Sequence, residues 1–303
     1  MALFLQRVID GLSNGAIFAV VAIALVLIFK ATTLINFAQG ELAMLGAFLF
    51  YVFAVQAFEL PLIVAAIIAM ALSSLLGVTI ERVLVRPFDP QDHLPVVLIT
   101  LGIFYIVNAV AGDVWNYESR AVPSIFPNGF DDFVSVGGAR IFYDSIGMMV
   151  GLGLMYLAVY LILNKTKMGL AFRAVSSNTE SSRLVGIRVG RILSFGWAAA
   201  CAFGTLGAIL VAPRLTLHPN MMAPILVYAL AGAAFGGLDS IGGAAIGGIV
   251  VGLINSVGLG YLTGFEPFEA FRATPLVPPV ILLLTVLWFR PSGMFGTKRI
   301  ERV

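Results

Sequence analysis

Three polar side chains, Asn36, Gln39 and Glu41, stand at the start of an apolar segment that resumes at Leu42 and reaches about Phe58. A carboxylate with two amides beside it could form part of a gate or a path for a polar solute. The same acid could instead sit at a membrane interface, or face the backbone amides of a helix N-terminus, where the helix dipole favours negative charge. At the edge of a hydrophobic run it is costly unless solvated, paired or near the surface. A proton or sodium relay needs more acids, and neither a second carboxylate nor an acid–histidine pair falls deep in an apolar run. That counts against a secondary transporter working alone. Asn14, Asn108 and Asn255 lie in apolar runs as well, and each reads as a helix–helix hydrogen bond.

Enzymatic chemistry lacks its parts. There is no HExxH and no CxxC, and without GxxxxGK[ST] the chain cannot hydrolyse ATP by the P-loop route. The one cysteine, Cys201, excludes a disulfide and a cysteine-based metal site. His93 and His218 are too far apart to suggest a metal, and nothing calls for a cofactor.

The elements that must carry these residues follow from composition. The chain is 60% hydrophobic and 11% charged over 303 residues, with a mean hydropathy of +1.00. A soluble domain of that make-up would have an apolar surface. Runs of eighteen or more residues almost free of charge read as membrane spans, whereas barrel strands would alternate. The expected fold is all-α, a polytopic transmembrane bundle of about eight or nine membrane segments forming a single domain over 1–303.

Met1 to Asp10 reads as interfacial. Spans are expected over Gly11–Phe29, Leu34–Phe58, Pro61–Ile80, Leu94–Gly112, Ser145–Asn164, Ile192–Pro213, a pair within Met221–Leu262 and Ala273–Phe289. The pair turns at Gly236-Gly237-Leu238-Asp239. Small residues four apart, as in Gly232-xxx-Gly236 and Gly248-xxx-Gly252, allow close helix contact in lipid. Loops are expected over Glu81–His93, Asp113–Asp144 and Thr263–Arg272. The basic-residue rule groups Arg82, Arg86, the 165–191 loop and the C-terminal tail on one side, giving a cytoplasmic C-terminus. Nine crossings with the N-terminus outside, or eight with it inside, both satisfy that rule.

Lys165 to Arg191 holds six of the 18 basic residues and one acid, Glu180. Ser177-Asn178-Thr179-Glu180 matches a capping box, with Ser at the N-cap and Glu three residues on. Gly186 falls where a glycine would end a helix of about two turns. The loop is either a solvated basic loop or a docking surface for a cytoplasmic partner.

Three blocks carry a family resemblance: GLSNGAIFAVVAIALVLIFKATTLINFAQGELAMLGAF, GLAFRAVSSNTESSRLVGIRVGRI and AGAAFGGLDSIGGAAIGGIVVGLI. Over essentially the whole chain the sequence resembles the permease subunit of bacterial branched-chain amino acid ABC importers, the LivH type. The resemblance implies a multi-pass protein of the bacterial inner membrane, in contact with lipid, that is not itself an enzyme. Its implied partners are two ATP-binding-cassette ATPase subunits, a second permease of the LivM type and an extracytoplasmic substrate-binding protein; nucleic acid is not among them. It makes Gly169–Gly186 the cytoplasmic loop that meets the ATPase, with Arg173, Glu180, Arg183 and Gly186 in it. Leu184 and Val185 supply the apolar part of that contact. Ile35–Glu41 matches the family's NFA-x-GE block, which makes Asn36, Gln39 and Glu41 candidates for the translocation pathway. Here Ser181 and Ser182 follow Glu180, where the family tends to have Ala at one or both positions. Similar permeases serve urea and short amides, so these remain alternative cargoes, beside a stand-alone transporter or channel and a non-transporting scaffold.

Overall fold

A computed structural model describes residues 2–88, 93–262, 274–290 and 292–296. The expected loop Thr263–Arg272 and most of the C-terminal tail lie outside them. In chain order the helices are α1 (Ala2–Thr32), α2 (Gln39–Tyr51), α3 (Leu62–Ile80), α4 (His93–Trp115), α5 (Tyr143–Lys165), α6 (Lys167–Ser177), α7 (Thr179–Leu184), α8 (Val189–Leu215), α9 (Met222–Gly236), α10 (Ile241–Leu253), α11 (Leu259–Leu262) and α12 (Val277–Phe289). Wide five-residue π turns extend α2 to Gln56, α3 to Val85 and α10 to Gly258. Among the described residues seven helices are long and apolar enough to cross a membrane, and α9 and α12 are shorter apolar ones. The helical polytopic fold is the expected one.

Three boundaries differ from the sequence expectation. Residues 2–10 are the first turns of α1 and continue straight into the span, because nothing in them breaks a helix. Glu81–Val85 is helical, so Glu81 belongs to the end of a span and not to a loop. The 113–144 segment contains an antiparallel hairpin, β1 (Phe133–Val136) with β2 (Ala139–Phe142), turning on Gly137 and Gly138 at φ +60° and +82°.

The chain divides into two compact units. One comprises residues 1–26, 126–153 and 224–303. Here α1, α9 and α10 meet through glycine. A Cβ on Gly248 would collide with the backbone of Ala19, one on Gly252 with Gly15, and one on Gly247 with Gly232. Dispersion between backbones replaces hydrophobic drive inside lipid, and it needs this proximity. In the same unit the hairpin rests on the start of α1: the Arg140 N–H donates to Gln6 Oε1 at 2.7 Å.

The second unit comprises residues 27–125 and 154–223. Its axis is α8, packed on α2, α3, α6 and α7. Along α8, Ser74 of α3 donates to the Ala198 carbonyl at 3.2 Å, and a Cβ on Gly77 would lie 2.7 Å from Cys201 Sγ. A Cβ on Gly204 would lie 3.3 Å from Ala43 of α2. Ser74 faces Ala198 while Glu81, further along, faces the earlier Ser194, so α3 runs antiparallel to α8.

Gly248→Ala is expected to destabilise the protein by ~1–3 kcal/mol through overpacking. Gly153→Ala, where nothing lies within 4 Å of the new Cβ, should raise stability slightly by removing a flexible residue from a helix. Thermal unfolding of the two variants in mild detergent reads the opposite signs.

Candidate functional site

The loop after α5 is built by reversal. Thr166 Oγ1 donates to the Ile162 carbonyl at 2.6 Å and accepts from the Gly169 N–H at 3.0 Å, capping α6. Gly169 lies against the carbonyls of Ile162 and Leu163, where any side chain would collide. α6 buries one face: Phe172 and Val175 are inside, and Phe172 meets Phe195 of α8 edge-on at 6.3 Å. Its other face exposes Arg173, which donates to Asn164 Oδ1 at 3.3 Å.

α7 is capped one residue later than its sequence suggests. Asn178, not Ser177, is the N-cap, and its Oδ1 accepts from the Ser181 N–H at 2.8 Å. Ser177 ends α6, where it has helical backbone and cannot cap α7. Glu180 is thus the second residue of α7, is exposed, and is out of register for a capping box. Gly186, at φ +83°, ends α7 as expected; its N–H reaches the Arg183 carbonyl and the Ile187 N–H the Ser182 carbonyl, both at 3.0 Å. That is a Schellman closure. Beside it Arg183 is exposed, and Leu184 and Val185 are 89% and 76% exposed.

Where α8 begins, a clasp ties it to α3. Arg86 Nε donates to Glu81 Oε1 at 2.9 Å, and Nη2 donates to Glu81 Oε2, to the Gly190 carbonyl at 2.7 Å and to Ser194 Oγ at 2.8 Å. Ser194 Oγ donates to Glu81 Oε2 at 2.7 Å. Glu81 is buried, and both its oxygens are held. Sequence reasoning missed this group, because Ser194 is 113 residues from Glu81 and no spacing rule joins them. The one readable signal was an acid directly after an apolar run with an arginine five residues on.

The three polar residues of the α1–α2 junction are all buried, and they separate into two roles. Asn36 Oδ1 accepts from the Ala38 N–H at 3.0 Å, and its Nδ2 donates to Gln39 Oε1 at 3.3 Å. Gln39 Nε2 donates to the Ala200 carbonyl of α8 at 2.9 Å. These two bond each other and neighbouring backbone. Glu41, in the first turn of α2, faces elsewhere: Asn108 Nδ2 of α4 donates to its Oε2 at 3.2 Å. The same nitrogen lies 2.9 Å from Asn220 Oδ1 and 3.2 Å from the Pro219 carbonyl. Asn108 Oδ1 accepts from Tyr117 OH at 3.2 Å. Asn108 is the helix–helix hydrogen bond its position suggested.

Apolar helices of membrane-spanning length, a basic capped loop and buried polar groups at span ends define an integral membrane transport subunit. The family model for the permease component of branched-chain amino acid transport systems matches residues 7–287, and the chain belongs to that family. It is 26% identical to the high-affinity branched-chain amino acid transport permease BraD of Pseudomonas aeruginosa, over 99% of this chain and 98% of that one. It is 27% identical to LivH of Escherichia coli K12, again over 99% and 98%. Among solved structures it is similar to PsaBC from Streptococcus pneumoniae in complex with Fab, with a TM-score of 0.49 and 13% identity over 95% of this chain and 92% of that one.

Asn178→Ala should cost ~0.5–2 kcal/mol by removing the α7 cap, whereas Ser177→Ala should cost almost nothing. Hydrogen exchange at the amides of α7 distinguishes them. Arg86→Ala leaves the buried Glu81 without its cation and should cost ~1.5–3 kcal/mol. Arg86→Lys should restore only part of this, since an ammonium cannot grip both oxygens side by side. Thermal unfolding measures both.

Proposed function

We propose that this permease works in an ATP-driven importer of branched-chain or related amino acids, with two ATPase subunits docked on the α6–α7 loop. A second permease of the LivM type and an extracytoplasmic binding protein complete the assembly. The carrying observation is the Leu184–Val185 pair. Two large aliphatic side chains stand almost wholly exposed beside Arg183, at the end of a helix fixed by a cap and a Schellman turn. Apolar surface ringed by polar residues marks an interaction site. Arg173 and Arg183 supply charge to the contact. Glu180 also stands on this exposed surface, and Gly186 closes its helix.

Sidedness supports the same reading. Residues at the start of α1 touch the hairpin, so the N-terminus shares the side of the 113–144 loop. That favours nine crossings with the N-terminus outside. Following α5, α8, α9, α10 and α12 across in turn then brings the chain end to the side of the basic loop, the cytoplasm of a bacterial inner-membrane protein. The binding protein, on this reading, rests on the acidic 113–144 segment.

ATP binding would close the ATPases, and the α6–α7 loop would pass that motion to α8. The test is purification of the tagged protein from its native membrane with mass spectrometry of what accompanies it, then the same for Leu184→Asp with Val185→Asp. The wild type should bring down a P-loop ATPase and a second permease. The double variant should reach the membrane in normal amount but recover at least tenfold less ATPase. Undiminished recovery would overturn the docking surface; a wild type that purifies alone would overturn the importer.

A further inference from the structure

We infer that Glu41, Asn108 and Asn220 form a subsite for a primary ammonium group, the α-amino group of the transported amino acid; this rests on the importer reading above. One donor nitrogen faces three acceptors. Asn108 Nδ2 carries two hydrogens and stands within hydrogen-bond distance of three acceptors, Glu41 Oε2, Asn220 Oδ1 and the Pro219 carbonyl. At least one acceptor is therefore left without a hydrogen at any moment. The Asn108 carbonyl oxygen is already turned to Tyr117 and brings no donor.

The carboxylate itself is unsatisfied. Glu41 is 1% exposed, and Asn108, a neutral amide, is its one hydrogen-bond partner among the described residues. Both ion pairs found among those residues lie elsewhere. A buried carboxylate with so little compensation is costly, and the cost falls when a cation or several donors arrive. An ammonium brings three N–H donors and a positive charge, which matches both deficits. A carboxylate or phosphate would bring neither, and neutral urea would bring donors without charge.

The group is reachable. Tyr117 and Asn220 are exposed and Asn108 is half-buried, so polarity leads inward from an open edge to the acid. The Glu81 carboxylate, equally buried, differs in having donors on both oxygens, one of them an arginine.

The test uses the complete transporter in proteoliposomes with its binding protein and radiolabelled leucine. Glu41→Gln keeps the shape and removes the charge; it should cut uptake at least tenfold, with Glu41→Asp in between. A second measurement does not depend on transport. In a Cys201→Ala background, Tyr117→Cys should react at least fivefold faster with 2-aminoethyl methanethiosulfonate than with the neutral methyl reagent, leucine should slow that reaction, and Glu41→Gln should abolish the preference. Active wild type with unimpaired Glu41→Gln uptake, or labelling indifferent to reagent charge and to leucine, overturns the subsite alone. A wild type that imports no amino acid overturns the importer reading and the subsite together.

Discussion

Inside a bilayer no water is present to satisfy a backbone amide or carbonyl, so an interrupted helix must find partners within the protein. The interruption between α1 and α2 is governed by this constraint. Gln39 meets α8 at Ala200, eleven residues and ~17 Å from its start, so the second helix begins far along a spanning one. Side chains close the gap. Thr32 Oγ1 donates to the Ile28 carbonyl and accepts from the Leu34 N–H, while Asn36 Oδ1 takes the Ala38 N–H. Thr33, left-handed at φ +59°, makes the bend where it is exposed. With the backbone satisfied in this way, Gln39 and Glu41 can sit in the first turn of a helix that starts in the interior.

α8 makes the other consequences follow. Close packing along it is set by small residues: Gly196 against Ala31, Gly204 against Ala43 and Gln39. At its beginning the Arg86–Glu81–Ser194 clasp fixes it to α3, next to α7, the proposed docking helix. Just beyond its end lie Pro219 and Asn220, facing Asn108. A rigid helix held at such points has little freedom to deform locally, so a push at the α6–α7 loop is answered by displacement of the whole element and not by side-chain adjustment. That is the physical basis for expecting one helix to relate the loop to the polar cluster.

Composition and hydropathy made the spans legible, because lipid demands long apolar runs and little else. Gly186 was legible too, since a left-handed helix end leaves glycine as the natural choice. The cap was misread by one residue: Ser177 and Asn178 are both good caps, and only the extended backbone at Asn178, which lets its side chain reach Ser181, decides between them. The hairpin hid in a polar loop because four-residue strands carry almost no periodic signal. Glu41 stood out as a cost, but its partner, Asn108, lies 67 residues away along a chain whose pairing depends on helix packing, which spacing cannot report.

Two buried carboxylates in one unit show how structure and function can be told apart by hydrogen-bond closure. Glu81 has an arginine and a serine covering both oxygens; such a network holds geometry. Glu41 has one neutral donor, shared with two competitors. Fully satisfied polar networks gain nothing from a visitor, so a ligand meeting them must break more than it makes. In the proposed subsite, an under-donated acid reached from an exposed edge is the opposite case, stabilised further when something positive occupies it. A transport subunit needs that instability, because a site comfortable when empty would hold its cargo no better than it holds water.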